Sequence, residues 1–439
     1  MKIITKKSFF CVLLTILIFF SFTVNCFSEN TDAGLDGLSS EYALVVNIDT
    51  NIYLYAENET EPLYCGFLPR VLTVAMMLNS GEDLNKEITI TPEMIDQTPQ
   101  ISSANLKKGD SISLYDLCIA AVITNSQEAT VALATYMGTT VEQFLATLNS
   151  KASELGCKAT TFTNVHGYYR SGNINTTLAD AALIIKYAVS APGYLQIANT
   201  TYTKITVNGI PRELYTRNST AIETNDYYIS GAQAIAVSSD ARIGASCANM
   251  ITENDMRLIS IAVTKESVGK VFEDIKLLSN FAAEEYITKT IVEKGSAVKE
   301  IQVRLGKGRD SVMLLSTDAI NITIPKSTPD EEIEYIYDIP ENLVAPVNKG
   351  DVYGTLTVRC NGIVFATVDL TAQTSVERDM IASFTEALNG FFSNAIVWIC
   401  LAVIILFIII YTIILFYINR NKIRKQKNKK QDRVKIDIE

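Results

Sequence analysis

Nucleophilic or metal-assisted chemistry in this chain has a short list of side chains to draw on. There is one histidine, His166, and there are eight cysteines. Cys11, Cys26 and Cys400 fall in apolar segments at the two ends, which leaves Cys65, Cys118, Cys157, Cys247 and Cys360. These are odd in number, widely spread and without C-x-x-C spacing. They indicate neither a disulfide framework nor a zinc site, and no metal or other cofactor is expected. Cys65 is intrinsically a good nucleophile, and Arg70 nearby would lower its pKa. The sequence offers it no paired base, so a small buried residue is the better reading.

Cys65 and Arg70 belong to the stretch "YCGFLPRVLTVAMML", residues 64 to 78. Pro69 suits the first turn of a helix, and the apolar run behind it predicts a buried one. Before it, "YALVVNID" and "IYLYA" flank "TN" and predict a β-hairpin. After it, "LYDLCIAAVI" has no polar face beyond Asp116 and reads as a core helix. "EATVALATYM", "VEQFLATLNSKASELG" and "LADAALIIKYAVS" read as further helices, the second ending at Gly156. "RLISIAVTK" is a β-rich run, and "VGKVFEDIKLLSNFAAEEY" returns to helix. A hairpin, a helical block, a strand region and a closing helix predict an antiparallel sheet covered by helices, an α+β fold. From about Thr288 to Ala372 short β-type runs alternate with turns and predict a small all-β domain.

The ends set the compartment. Lys2, Lys6 and Lys7 precede an apolar run from Phe9 to Phe20, with Cys26 and Ser28 at plausible cleavage positions, the pattern of an export signal. Residues 395 to 418 contain no charge and are long enough to span a bilayer. Nine Lys and Arg residues follow, and the positive-inside rule puts that tail in the cytoplasm. The chain carries a net charge of −10 despite these basic ends. Its interior is more acidic still, which argues against binding nucleic acid by bulk charge. The expected organisation is a signal over 1–28, a linker over 29–40, an α+β domain over 41–287, a β domain over 288–375, a juxtamembrane segment over 376–394, a membrane helix over 395–418 and a basic tail over 419–439.

Several stretches together resemble the penicillin-binding D-alanyl-D-alanine carboxypeptidases, serine enzymes that trim peptidoglycan stem peptides. They are "ALVVNIDTNIYLYAENETEPLY", "LKKGDSISLYDLCIAAVITNSQEATVALATYM", "FLATLNSKASELGCKATTFTNVHGY", "TTLADAALI" and, in the β region, "LVAPVNKGDVYGTLTV". Their order and spacing carry the resemblance from about Glu41 to Ala372. It implies a β-lactamase/transpeptidase-like domain followed by the family's small β domain, on the outside of a bacterial cell membrane. It also implies a structural turn built from Asn164, His166 and Gly167.

The reactive positions depart from the family pattern of S-x-x-K, S-x-N and K-T-G. Aligned here, the first falls on Phe67 to Arg70, the second on Asn125-Ser126-Gln127, and the third on Gln233-Ala234-Ile235. The third rests on Gly231 upstream and on the strand resumption around Gly244 to Cys247. Acyl transfer by this route needs a hydroxyl and a base that can take its proton. Phe67 has no lone pair to attack a carbonyl, and Arg70 stays protonated. Asn125 cannot shuttle a proton. Gln233 lacks the positive charge that meets a carboxylate, and Ile235 places a branched side chain where glycine admits substrate backbone. A narrowed or filled groove is expected from the last change. Ser126 and Ser230 lie near motif positions but out of register.

The sequence therefore predicts a membrane-anchored, extracytoplasmic homologue of these carboxypeptidases without acyl-serine chemistry. Its expected partners are peptidoglycan stem peptides or a cell-wall protein, with no nucleic acid. Two other readings stand beside it: a serine-type hydrolase using relocated residues, and an assembly protein acting through the β domain.

Overall fold

The computed structural model describes residues 35–96, 98, 104–169, 176–253 and 256–436. The expected export signal and the first residues of the expected linker lie outside these.

Among the described residues a hairpin of β1 (Tyr42–Asn47) and β2 (Ile52–Glu57) comes first, turning at Asn51 with φ +57°. The helix α1 (Leu68–Leu78) follows, then β3 (Glu87–Thr89), α2 (Pro92–Asp96), β4 (Ser111–Ser113), α3 (Leu114–Ile123), α4 (Gln127–Gly138), α5 (Val141–Glu154), α6 (Leu178–Val189) and α7 (Tyr194–Ala198). Five strands come next: β5 (Tyr202–Val207), β6 (Ile210–Tyr215), β7 (Ala232–Asp240), β8 (Gly244–Glu253) and β9 (Met256–Thr264). The helix α8 (Val268–Glu285) ends this part.

The main sheet has the order β2-β1-β9-β8-β7 and is antiparallel throughout. Strands β3 to β6 form a second, four-stranded sheet. Helices α3, α4, α5, α6 and α8 start alike: Ser113, Ser126, Thr140, Thr177 and Ser267 each accept a hydrogen bond from the backbone N–H three residues on. Such caps satisfy donors that a helix start leaves open. Helix α1 differs. Phe67 takes the cap position, offers no side-chain bond, and Pro69 in the first turn simply lacks an N–H to satisfy. The compensation is burial: from Leu68 to Ala75 every residue of α1 is buried. Residues 38–40 do not behave as a free linker. Ser39 N and Oγ and Ser40 Oγ all donate to the Asp274 carboxylate on α8, and Ser40 is buried.

Eight more strands follow: β10 (Tyr286–Val292), β11 (Ala297–Arg304), β12 (Ser311–Ser316), β13 (Ile320–Pro325), β14 (Ile333–Asp338), β15 (Asn342–Val344), β16 (Val352–Cys360) and β17 (Ile363–Ala372). β10 pairs with β13, and the other six form one sheet of order β14-β16-β17-β12-β11-β15. Two helices end the chain, α9 (Met380–Ser393) and α10 (Ala395–Ile436). Residues Ala395–Arg424 of α10 are long and apolar enough to cross a membrane. The chain divides into two compact units. The first runs to Glu293 and adds Ala319–Ile336 and Thr357–Thr367; the second joins Lys294–Asp318, Tyr337–Leu356 and the residues from Val368 onward.

Candidate active-site cavity

The start of α1, the α3–α4 turn, the loop after Asn164 and strand β7 meet around a cavity of about 560 Å³. Gln233, Ala234 and Ile235, from which a narrowed groove is expected, are not among the residues that line it.

Phe67 is completely buried and belongs to the main hydrophobic core. It does not line the cavity, whereas Gly66 beside it does. Arg70, one turn into α1, lines the cavity but is 4% exposed, and its Nη2 donates to the Val237 carbonyl at 3.0 Å. Burial pulls its pKa down to about 10. That still leaves a cation at neutral pH, so Arg70 supplies charge and donors and no base. Burial also pushes the Cys65 thiol up to about 12, with Arg70 and hydrogen bonds opposing it only in part. Desolvation outweighs the guanidinium, and Cys65 is a packed thiol.

Asn125 sits in the α3–α4 turn with φ +57°, a conformation asparagine tolerates better than other residues. Ser126, next to it, is fully buried and spent as the cap of α4. Asn125 and Gln127 both line the cavity, and their buried side-chain oxygens Oδ1 and Oε1 find no partner among the described residues. The same is true of the Tyr64 hydroxyl, which burial holds above its ordinary pKa.

The loop over Asn164, His166 and Gly167 is held by two local hydrogen bonds. Asn164 Oδ1 accepts from Gly167 N at 2.7 Å, and His166 Nδ1 accepts from Tyr168 N at 3.0 Å. Gly167 has φ +72°, and a Cβ there would lie 1.8 Å from the Gly66 carbonyl oxygen. Two glycines thus let the loop backbone lie directly against the start of α1.

The third aligned motif falls elsewhere. Ala234 N donates to Asn199 Oδ1 at 2.8 Å, and the Ile235 carbonyl accepts from Tyr194 Oη at 3.2 Å. Ala234 and Ile235 are buried in the first unit's core, and none of Gln233, Ala234 and Ile235 lines the cavity. The pairing of β7 with β8 shifts register between Ala234 and Ala236. Beyond that bulge Val237, Ser238, Ser239 and Asp240 reach the cavity instead. Ser238 Oγ lies 2.7 Å from Ser246 Oγ. Arg242, which also lines the cavity, donates from Nε to Asp240 Oδ1 at 2.8 Å and stacks over the Tyr168 ring at 4.6 Å. Neither stretch of β7 contains a lysine. Sequence reasoning missed Tyr64, Val237, Ser238 and Arg242 as cavity residues.

This arrangement sits in a recognisable frame. The model for D-alanyl-D-alanine carboxypeptidases (peptidase family S11) matches residues 29–267, and the model for the C-terminal domain of penicillin-binding protein 5 matches residues 286–378. The chain belongs to the D-alanyl-D-alanine carboxypeptidase family, homologous to enzymes of peptidoglycan metabolism. It is 20% identical over 390 residues to the D-alanyl-D-alanine carboxypeptidase DacF of Bacillus subtilis, covering 88% of this chain and 98% of DacF. Haemophilus influenzae DacA is 26% identical over 353 residues, covering 77% of this chain and 86% of DacA. Penicillin-binding protein 5 of Haemophilus influenzae shares the fold with a TM-score of 0.66, at 23% identity over 78% of this chain and 98% of that one. A peptidoglycan synthesis regulatory factor (PBP3) of Streptococcus pneumoniae does so with a TM-score of 0.61, at 17% identity over 77% of this chain and 100% of that one.

Proposed function

We propose that this protein is a membrane-anchored, extracytoplasmic member of the family that has given up acyl-serine chemistry and keeps the cavity as a binding site. It acts in the cell wall by holding a stem peptide or a cell-wall protein, with α10 as its membrane span and the basic tail on the cytoplasmic side. The observation that carries the reading is the burial of Phe67: at the position aligned with the nucleophile, the side chain is turned into the core and away from the cavity. Arg70, aligned with the lysine base, is protonated and committed to the Val237 carbonyl.

The test is direct. The purified chain is incubated with a fluorescent penicillin, and D-alanine release is assayed in parallel on a diacyl-D-Ala-D-Ala peptide. Neither covalent labelling nor release above a heat-treated control is expected. Saturable labelling, or release that penicillin inhibits, would overturn the reading in favour of relocated catalytic residues.

A further inference from the structure

We propose that the start of α1 is an oxyanion seat, where a carboxylate or phosphate group of the cavity's occupant docks against the Arg70 guanidinium. The inference rests on the cavity being a binding site, the reading proposed above. Its ground is a buried charge without a counter-charge. Arg70 is buried, and a guanidinium presents five N–H groups in a fixed fork. One of them donates to the Val237 carbonyl at 3.0 Å. The others have no acceptor, and the side chain no ion pair, among the described residues. The groups that bear on it electrostatically are Tyr194, Cys65 and Tyr64. Burial pushes the pKa of all three up, so none of them is an anion at neutral pH. A buried ion is ordinarily paired, and one left unpaired is strongly destabilising.

The rest of the lining has the same sign. Its arginines are Arg70, Arg217 and Arg242, and its carboxylate among the described residues is Asp240. Asp240 is already taken by Arg242, from Nε at 2.8 Å and from Nη2 at 2.5 Å. Three cations against one paired carboxylate leave the charges of Arg70 and Arg217 unbalanced. Arg217 is exposed, so it draws an anion inward without fixing it. The seat is at Arg70, because a desolvated fork can hold an oxyanion by two parallel N–H···O bonds. Ser238 lies close by. A Cβ on Gly66 would come within 3.0 Å of its Oγ, which places this hydroxyl over the α1 start.

This is a different place from the one the K-T-G pattern implies. Gln233, Ala234 and Ile235 do not line the cavity, and the cation stands instead at the position aligned with the base. Asn125 and Gln127 add a second requirement. Each lines the cavity and has a buried oxygen without a partner among the described residues. Such oxygens accept, so the anion belongs on a group that also carries N–H or O–H donors.

The test is thermal unfolding of the full chain in detergent at constant ionic strength, titrated with inorganic phosphate, N-acetylalanine or N-acetylalanine amide. At least one of the two anions is expected to raise the melting midpoint saturably. The amide is expected to bind about tenfold or more weakly than the better anion. Phosphate as the tighter ligand points to a phosphate ester as the source, N-acetylalanine to a carboxylate. Arg70→Gln keeps an N–H for Val237 and removes the charge. It is expected to melt no lower than the parent without anion and to lose the anion response, and Arg70→Lys to keep part of that response. No saturable shift with either anion, an amide that binds as well as its acid, or a response that survives in Arg70→Gln would overturn the inference. A purely structural Arg70 gives the last pattern with a lowered midpoint. Should Arg70→Gln not fold, the anion-against-amide comparison in the unmodified chain decides. Fluorescent penicillin is added to the same preparation. Labelling sinks the non-catalytic reading whatever the anions do, and no labelling with no anion shift sinks the seat alone.

Discussion

At the scale of single residues, the difference from an acyl-transfer site lies in where two side chains point and what surrounds them. Phe67 now contributes to the core what a polar nucleophile would not. Phe67→Ala is expected to lower the unfolding free energy by about 3–5 kcal/mol, read from urea denaturation of the detergent-solubilised chain. A loss under about 1 kcal/mol would show that Phe67 is not the packing residue it looks like here. The thiols make a second prediction. Burial raises Cys65, Cys118 and Cys157 from the ordinary 9.0 to about 12. A group whose folded pKa is raised stabilises the fold fully below its unfolded value. That stability drains away as pH climbs through the folded one. The urea midpoint should therefore hold up to about pH 9 and fall between pH 9 and 12. Flat stability across that window would contradict the burial of these groups.

At the scale of elements, the tightest constraint is the backbone contact between Gly66 and Gly167. Gly167→Ala puts a Cβ into the Gly66 carbonyl and asks for φ +72° from a residue that resists it. It is expected to cost several kcal/mol and to disturb amide signals of both the α1 start and the 164–168 loop. Asn125→Gly, at a position that already has positive φ, should stay within about 1 kcal/mol of the parent. Much of this architecture is legible in the residues. The opening hairpin, α1, α3 to α6 and α8 follow from apolar periodicity and from Ser or Thr caps. The hairpin of β5 and β6 went unread although Asn208-Gly209, both at positive φ, is a two-residue turn signal between alternating strands. The cavity was legible at Arg70, Asn125 and Gln127, because helix starts are anchored by their neighbours. It was illegible on β7, because a bulge between Ala234 and Ala236 moves every later residue along the strand without leaving a mark in composition.

At the scale of the whole molecule, the proposed topology puts the acidic region before Ala395 and the basic tail on opposite sides of one apolar helix. Protease added to intact protoplasts should digest the region before Ala395 and leave a fragment containing the span and tail. Permeabilising the cells should then remove the tail. Protection of the ectodomain in intact protoplasts would reverse the proposed topology. Deleting the β strands after Tyr286 from a tagged chain and comparing recovered wall partners separates a cavity-centred role from one carried by the sheet. Unchanged recovery would favour the cavity.

Asn125, Gln127 and Tyr64 line the cavity, each with a buried side-chain oxygen that has no partner among the described residues, and this carries one more consequence. Under the proposed function the site gives no product to follow, yet it still obeys linkage. Any occupant that binds beside these residues in the folded chain, and has no affinity for the unfolded one, raises the melting temperature. At a hundredfold excess over its dissociation constant the gain is about 2.7 kcal/mol. For a domain of this size each kcal/mol is worth roughly 2–4 °C. Wall fragments can therefore be ranked by calorimetry alone, and a fragment whose shift is lost in Gln127→Ala is one that the cavity binds.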